Sequence, residues 1–125
     1  MAHKVFISAS YKDRDLARDL ERRLHEAGLQ VTYSELTLSA GSSYEKTFLG
    51  LLEAADEIIV IVSNNSNLWM MYEIGAASSL RKKITPVVVG LEEEELSPVI
   101  KQLKPLRYNE LSDYISRLER TSQAA

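Results

Sequence analysis

The chain has 125 residues, 45% of them hydrophobic and 26% charged, which suits one globular domain with a substantial core. A formal net charge of −3 provides no broad basic field, so nucleic acid is not an expected partner. Cysteine is absent, which removes disulfides and thiolate chemistry. His3 and His25 lie too far apart in sequence to suggest a metal centre, and no apolar run approaches the ~20 residues that span a bilayer. With no secretory leader evident, these features describe a soluble, cytoplasmic protein without membrane contact or bound metal.

Lys4 to Ser8 is a short apolar run rich in β-formers that ends in small polar residues, a strand leading into a loop. Leu16, Ala17, Leu20, Leu24 and Ala27 then recur at helical spacing, with Asp13 placed to cap the helix and Gly28 to stop it. Leu29 to Tyr33 makes a second strand. A polar loop from Ser34 to Ser43 precedes a second helical stripe of Tyr44, Phe48, Leu51, Leu52 and Ala55. Glu57 to Ser63 is continuously β-rich, as expected of a central parallel strand covered on both faces. Asn64 to Asn67 breaks it, a third helix covers Leu68 to Arg81, and Ile84 to Val89 forms a fourth strand. The acidic run Glu92 to Glu95 reads as a solvated loop or helix start. A short helical piece lies between Pro98 and Pro105, Leu106 to Tyr108 forms an edge strand, and a closing helix carries Leu111, Tyr114, Ile115 and Leu118.

Strand and helix thus alternate about five times, and parallel strands need right-handed crossovers that place helices on both faces. The expected architecture is an α/β, flavodoxin-like, doubly wound sheet of about five parallel strands. Residues 1–120 form the domain, and 121–125 form a tail or the start of a linker to a further domain. In such sheets ligands bind beyond the carboxyl ends of the strands, where this chain carries Ser8-Ala9-Ser10, Tyr33-Ser34-Glu35 and Ser63-Asn64-Asn65.

Three segments there could carry chemistry. Trp69 and Glu73 are four residues apart, so one helix face holds both, and Ala76, Ala77 and Leu80 extend that face. A carboxylate on an apolar stripe is paired, sits in a cleft, or serves only the helix dipole near the amino terminus and meets solvent. The loop Ser8 to Asp13 has small residues that let a ligand approach, followed by free helix amides suited to phosphate. It lacks a P-loop or dinucleotide fingerprint, and alone it reads as an ordinary turn capped by Asp13. The loop Glu35 to Ser43, about nine residues, exceeds the usual two to six for such a connection and is a candidate binding loop or variable surface.

Together these segments resemble a bacterial TIR (Toll/interleukin-receptor) domain of the NAD-cleaving type, over nearly the whole chain. The run Val5-Phe6-Ile7-Ser8-Ala9-Ser10-Tyr11-Lys12-Asp13 is similar to the family's opening box. Leu38-Ser39-Ala40-Gly41-Ser42-Ser43 is similar to the end of its long second loop, Trp69 to Ala77 to its W-x-x-x-E helix, and Ile84 to Val89 to its fourth strand. Three departures stand out: Ala9 replaces a larger residue, Ala40 replaces a frequent proline, and the segment from Ser63 to Trp69 is about two residues shorter than in many relatives.

The resemblance implies cleavage of NAD+ at the nicotinamide–ribose bond, with Glu73 as the catalytic carboxylate. It also implies Ser8, Ala9, Ser10, Tyr33 and Trp69 around the substrate, and no cofactor beyond the substrate itself. It further implies that Glu35, Leu36, Ala40, Gly41 and Ser42 form an assembly loop through which TIR units associate. The expected setting is antiphage immune defence or signalling, with a sensor or oligomerisation domain elsewhere in the protein. The alternative is a non-catalytic adaptor acting through homotypic TIR–TIR binding. A phosphorylation-controlled receiver fits poorly because Ser8-Ala9-Ser10 stands where clustered aspartates are needed, and a nucleoside deoxyribosyltransferase lacks support from the opening box and loop.

Overall fold

The structure, a computed structural model, describes residues 3–33, 42–66 and 68–124, with the side chains at 33, 42–47 and 122–124 outside that description. Five strands, β1 (Lys4–Ser8), β2 (Gln30–Tyr33), β3 (Glu57–Val62), β4 (Lys83–Val88) and β5 (Leu106–Arg107), form one sheet in the order β2-β1-β3-β4-β5. Every pairing is parallel. The fold is therefore flavodoxin-like and doubly wound. Its helices are α1 (Arg14–Glu26), α2 (Ser42–Ala54), α3 (Leu68–Ser79), α4 (Pro98–Gln102) and α5 (Leu111–Ala124). The last of these continues past position 120, where the sequence sets the domain's end. Among the described residues no helix is long and apolar enough to cross a membrane.

Alternation along the strands sorts the core into two layers. Val5, Ile7, Ile59, Ile61 and Val87 pack against α1 and α5 through Ala17, Leu20, Leu24, Leu111 and Leu118. Phe6, Ile58, Val60, Val62 and Val88 pack against α2, α3 and α4 through Phe48, Leu52, Ile74, Ala77 and Ile100. Strand β3 is buried along its whole length, which explains why its run is apolar without alternation. On the second face Phe6 and Phe48 meet edge to face, ring centres 5.5 Å apart.

Gly28 ends α1 at φ +85°, and the Gly28 and Leu29 amides return to the carbonyls of His25 and Leu24, so two otherwise orphaned acceptors are satisfied. Helix α3 stops the same way: the Arg81 and Lys82 amides reach the Ser78 and Ala77 carbonyls, but Arg81 takes the left-handed position at φ 57°. A side chain there crowds its own backbone, which glycine avoids.

One acidic residue breaks the apolar pattern of the central strand. Glu57, at the amino edge of β3, is fully buried. Its carboxyl accepts from the Thr85 hydroxyl at 2.5 Å and from the Tyr114 hydroxyl, and it lies 2.8 Å from His3 Nε2. Lys83 Nζ stands 4.0 Å away. These partners replace the hydration that the carboxyl loses, and they tie β1's leading residue, β3, β4 and α5 together at one edge. Burial, reinforced by the Glu57 charge and hydrogen bond, pushes the Tyr114 hydroxyl well above the ordinary tyrosine range.

Two outcomes follow from these contacts. Arg81→Gly should raise stability by about 0.5–1 kcal/mol, read as an increase in Tm. For Tyr114 the folded-state pKa is raised, so its contribution is complete below the unfolded tyrosine value of about 10 and is lost as pH rises through the folded value. Thermal unfolding should therefore show Tm falling above about pH 10, with a smaller fall in Tyr114→Phe.

Candidate active site

The site is built where β1 and β3 end. Ser8 closes β1 opposite Val60 of β3, so the loops leaving the two strands emerge side by side. Only 4% of Ser8 is exposed, and its hydroxyl donates to Glu73 Oε1 at 2.8 Å. Glu73 itself is 5% exposed. Of the alternatives left open by the sequence, the carboxylate is thus the paired one, buried and not facing water as a dipole-stabilising residue would be. It is the sixth residue of α3, whose first turn carries no acidic side chain, so the macrodipole at the amino terminus has largely decayed where it sits. A hydroxyl from another element, not the helix's own end, holds it.

Trp69 lies one turn before Glu73 on the same helix and is 38% exposed. Its ring stacks on Tyr72, centres 5.0 Å apart and planes 21° from parallel, and Tyr72 leans in turn on Phe48 at 6.0 Å. An aromatic series therefore runs from Phe6 in the core through Phe48 and Tyr72 to Trp69 at the surface. The role of Tyr72 as a support was not legible from spacing, because i+3 positions on a helix are neighbours in every amphipathic segment.

Ala9 and Ser10 are half-buried in the loop after β1. Ser10 takes an extended conformation and accepts the Lys12 amide at 3.3 Å, capping a 3-10 turn over Tyr11–Asp13. Asp13 occupies the cap position of α1, yet its side chain makes no capping bond there. It is 5% exposed and crosses to the loop after β3, accepting from Ser63 Oγ at 2.5 Å and Asn65 Nδ2 at 2.8 Å. The cap expected from sequence is thus a bridge between loops. Local spacing shows the nearest amides but not a loop fifty residues away.

The backbone of Tyr33 pairs with Ile7 at the same sheet edge. Its side chain lies outside the description, as do Glu35, Leu36, Ala40 and Gly41; Ser42 is described only as the backbone start of α2. Among the described residues no group of three or more His, Asp or Glu is placed to hold a metal ion.

This arrangement, a parallel five-stranded sheet whose W-x-x-x-E helix turns its glutamate onto the serine of the opening strand, agrees with a match to the TIR domain family over residues 5–121. The chain belongs to the TIR family. It is 30% identical over 101 residues to the NAD(+) hydrolase TcpA of Theionarchaea archaeon (strain DG-70-1), an alignment covering 75% of this chain and 31% of that protein. The chain thus spans about a third of that relative's length. Among solved structures, the TIR domain of the Toll-related receptor TRR-2 from Hydra magnipapillata superposes with a TM-score of 0.73 at 16% identity, covering 95% of this chain and 97% of that one. The CMP N-glycosidase BcmB of Clostridium botulinum gives 0.68 at 21% identity, with 93% and 98% covered. A prokaryotic SEFIR domain gives 0.67 at 20%, with 95% and 91% covered. At these identities the structures speak for a shared fold.

The pairing of Ser8 with Glu73 has a measurable energetic signature. Ser8→Ala should cost about 1–3 kcal/mol, since it strips a buried carboxyl of a donor. In a double-mutant cycle with Glu73→Ala, followed by denaturant unfolding, the two losses should be less than additive.

Proposed function

We propose that this TIR domain cleaves NAD+ at the bond between nicotinamide and ribose, with Glu73 as the catalytic carboxylate. The observation that carries this reading is the buried Glu73 held by Ser8 at the carboxyl edge of the sheet, beside a partly exposed tryptophan. Two similar proteins support it by their names, one an NAD(+) hydrolase, which names the substrate, and the other a CMP N-glycosidase, which names the kind of bond.

The chemistry asks little of the protein. As the C1′–N bond breaks, its electron pair neutralises the pyridinium ring, so nicotinamide departs without protonation. Ordinary glycosidases need a second carboxyl for that step. Positive charge develops on the ribose, and the Glu73 carboxylate stabilises it or holds the ribose hydroxyls. Water then attacks C1′ and releases its proton, giving ADP-ribose; attack by an adenine nitrogen, with loss of a proton from the adenine, instead gives a cyclic ADP-ribose that contains one water less. Ser8 keeps the carboxylate aimed, Ala9 and Ser10 line the approach, and Trp69, backed by Tyr72, offers an aromatic wall. Tyr33, at the carboxyl end of β2, is assigned to substrate binding by the family resemblance. Glu35 to Ser43 is the segment through which TIR units associate and activate one another. The activity serves cytoplasmic immune defence by nucleotide depletion or signal production.

Incubating the protein with NAD+, with and without a crowding agent, and following nicotinamide release tests this directly. The rate should rise more steeply than linearly with protein concentration. Glu73→Gln, which can still accept from Ser8, should lower it about 100-fold or more at unchanged Tm. Equal rates in wild type and Glu73→Gln exclude Glu73 from the chemistry.

A further inference from the structure

We propose that Asp13 is a positioning residue that fixes the two loops of this site against each other and so sets where Trp69 and Glu73 stand; its link to substrate rests on the NAD reading above. The loop after β3 is closed on itself: Ser66 Oγ accepts the Ser63 amide at 3.0 Å, and the Ser66 amide reaches the Ser63 carbonyl at 3.1 Å. Ser63 Oγ also accepts the Asn65 amide at 3.0 Å, so its single proton is free to go to Asp13. This compact turn then attaches to the opening loop through the Asp13 carboxylate, by the 2.5 and 2.8 Å bonds from Ser63 and Asn65.

On its own side Asp13 is equally held. Its amide donates to the Ser10 carbonyl at 2.8 Å, inside the turn that Ser10 caps. Both ends of the bridge therefore lie within a few residues of the site: Ser10 on one loop, and Trp69 four residues after Asn65 on the other. Ser8–Glu73 ties the same two segments a second time. Ile74 and Ala77 seat the body of α3 in the core, and two separated ties at its leading end fix where Trp69 and Glu73 stand. The shortness of the loop between Ser63 and Trp69 makes the second tie effective, because little slack lies between Asn65 and α3. An aspartate that has given up capping its own helix for a partly buried serine and asparagine on another loop is doing so for placement.

The test uses the intact chain. Trp69 is its only tryptophan, so emission and quenching by acrylamide or NAD+ report on the site alone. Asn65→Ala and Ser63→Ala should each raise KM for NAD+ about tenfold, the loss of one charge-assisted hydrogen bond, with kcat changed less than KM. Both should increase acrylamide access to Trp69 while Tm moves by only a few degrees. Asp13→Asn should recover part of what Asp13→Ala loses, since the Asn65 amide can turn its oxygen toward the new amide. Should Asp13→Ala fail to fold, the Ser63 and Asn65 variants decide the matter. Wild-type KM and unchanged Trp69 quenching in Asn65→Ala and Ser63→Ala overturn the proposal. Should wild type and Glu73→Gln release nicotinamide equally, the NAD reading of the site fails instead. Acrylamide access to Trp69, which needs no substrate, then decides the bridge: altered access at unchanged Tm upholds it, and unaltered access overturns it.

Discussion

Parallel pairing of β1 with β3 is the constraint from which the site follows. Both are interior strands, in register with Ser8 opposite Val60, so both chains leave the sheet at the same edge and side by side. From that edge α1 turns to the face that it shares with α5, and α3 turns to the face that it shares with α2 and α4. The two loops diverge to opposite faces at the switch point of the sheet, where such folds bind ligands, and Asp13 joins them there through Ser63 and Asn65. Ser8, Ser10, Asp13, Ser63 and Asn65 all belong to those two loops or their strand ends, and Glu73 is delivered by the first turns of the helix that one of them begins.

The buried acidic groups show how the fold treats the two edges differently. Asp13, Glu57 and Glu73 are the buried carboxylates among the described residues, and each would be costly without partners. At the amino edge Glu57 is fully enclosed and bonded to side chains from several elements, an arrangement that ties strands and α5 together. At the carboxyl edge Asp13 and Glu73 are each slightly open and accept from hydroxyl and amide donors of the site's own loops. The first kind of carboxyl stabilises a joint. The second keeps a carboxylate oriented at the edge where the two loops leave the sheet, with Glu73 one helical turn from the partly exposed Trp69.

Much of the fold was legible because it depends on local pattern. The uninterrupted apolar run at β3, the 3.6-residue stripes of α1 and α2, and Gly28 as a stop each reflect a residue's immediate neighbours, and the observed elements agree with them to within one or two residues. Arg81 shows the limit of such reading: the helix end falls within two residues of where the sequence puts it, but the left-handed backbone at a non-glycine residue carries no local signal. In the site, spacing placed Trp69 and Glu73 on one helix face but left open whether the carboxylate is paired, in a cleft or facing water. Whether Glu73 meets water or Ser8 depends on a strand sixty-five residues away.

The sequence by itself determined the layering of sheet and helices, the edge at which small polar residues gather, and the membership of Trp69 and Glu73 in one helix. These follow from periodicity and from the rule that parallel strands need crossovers, both of which are properties of chain segments. Only the tertiary structure decided that Ser8 holds Glu73, that Tyr72 supports Trp69 from within an aromatic series, and that Asp13 bridges two loops while its own helix goes uncapped. Each of these is a choice of hydrogen-bond or stacking partner. Such a choice is made by whichever group the completed fold brings within about 3 Å for a hydrogen bond or within several ångströms for a ring.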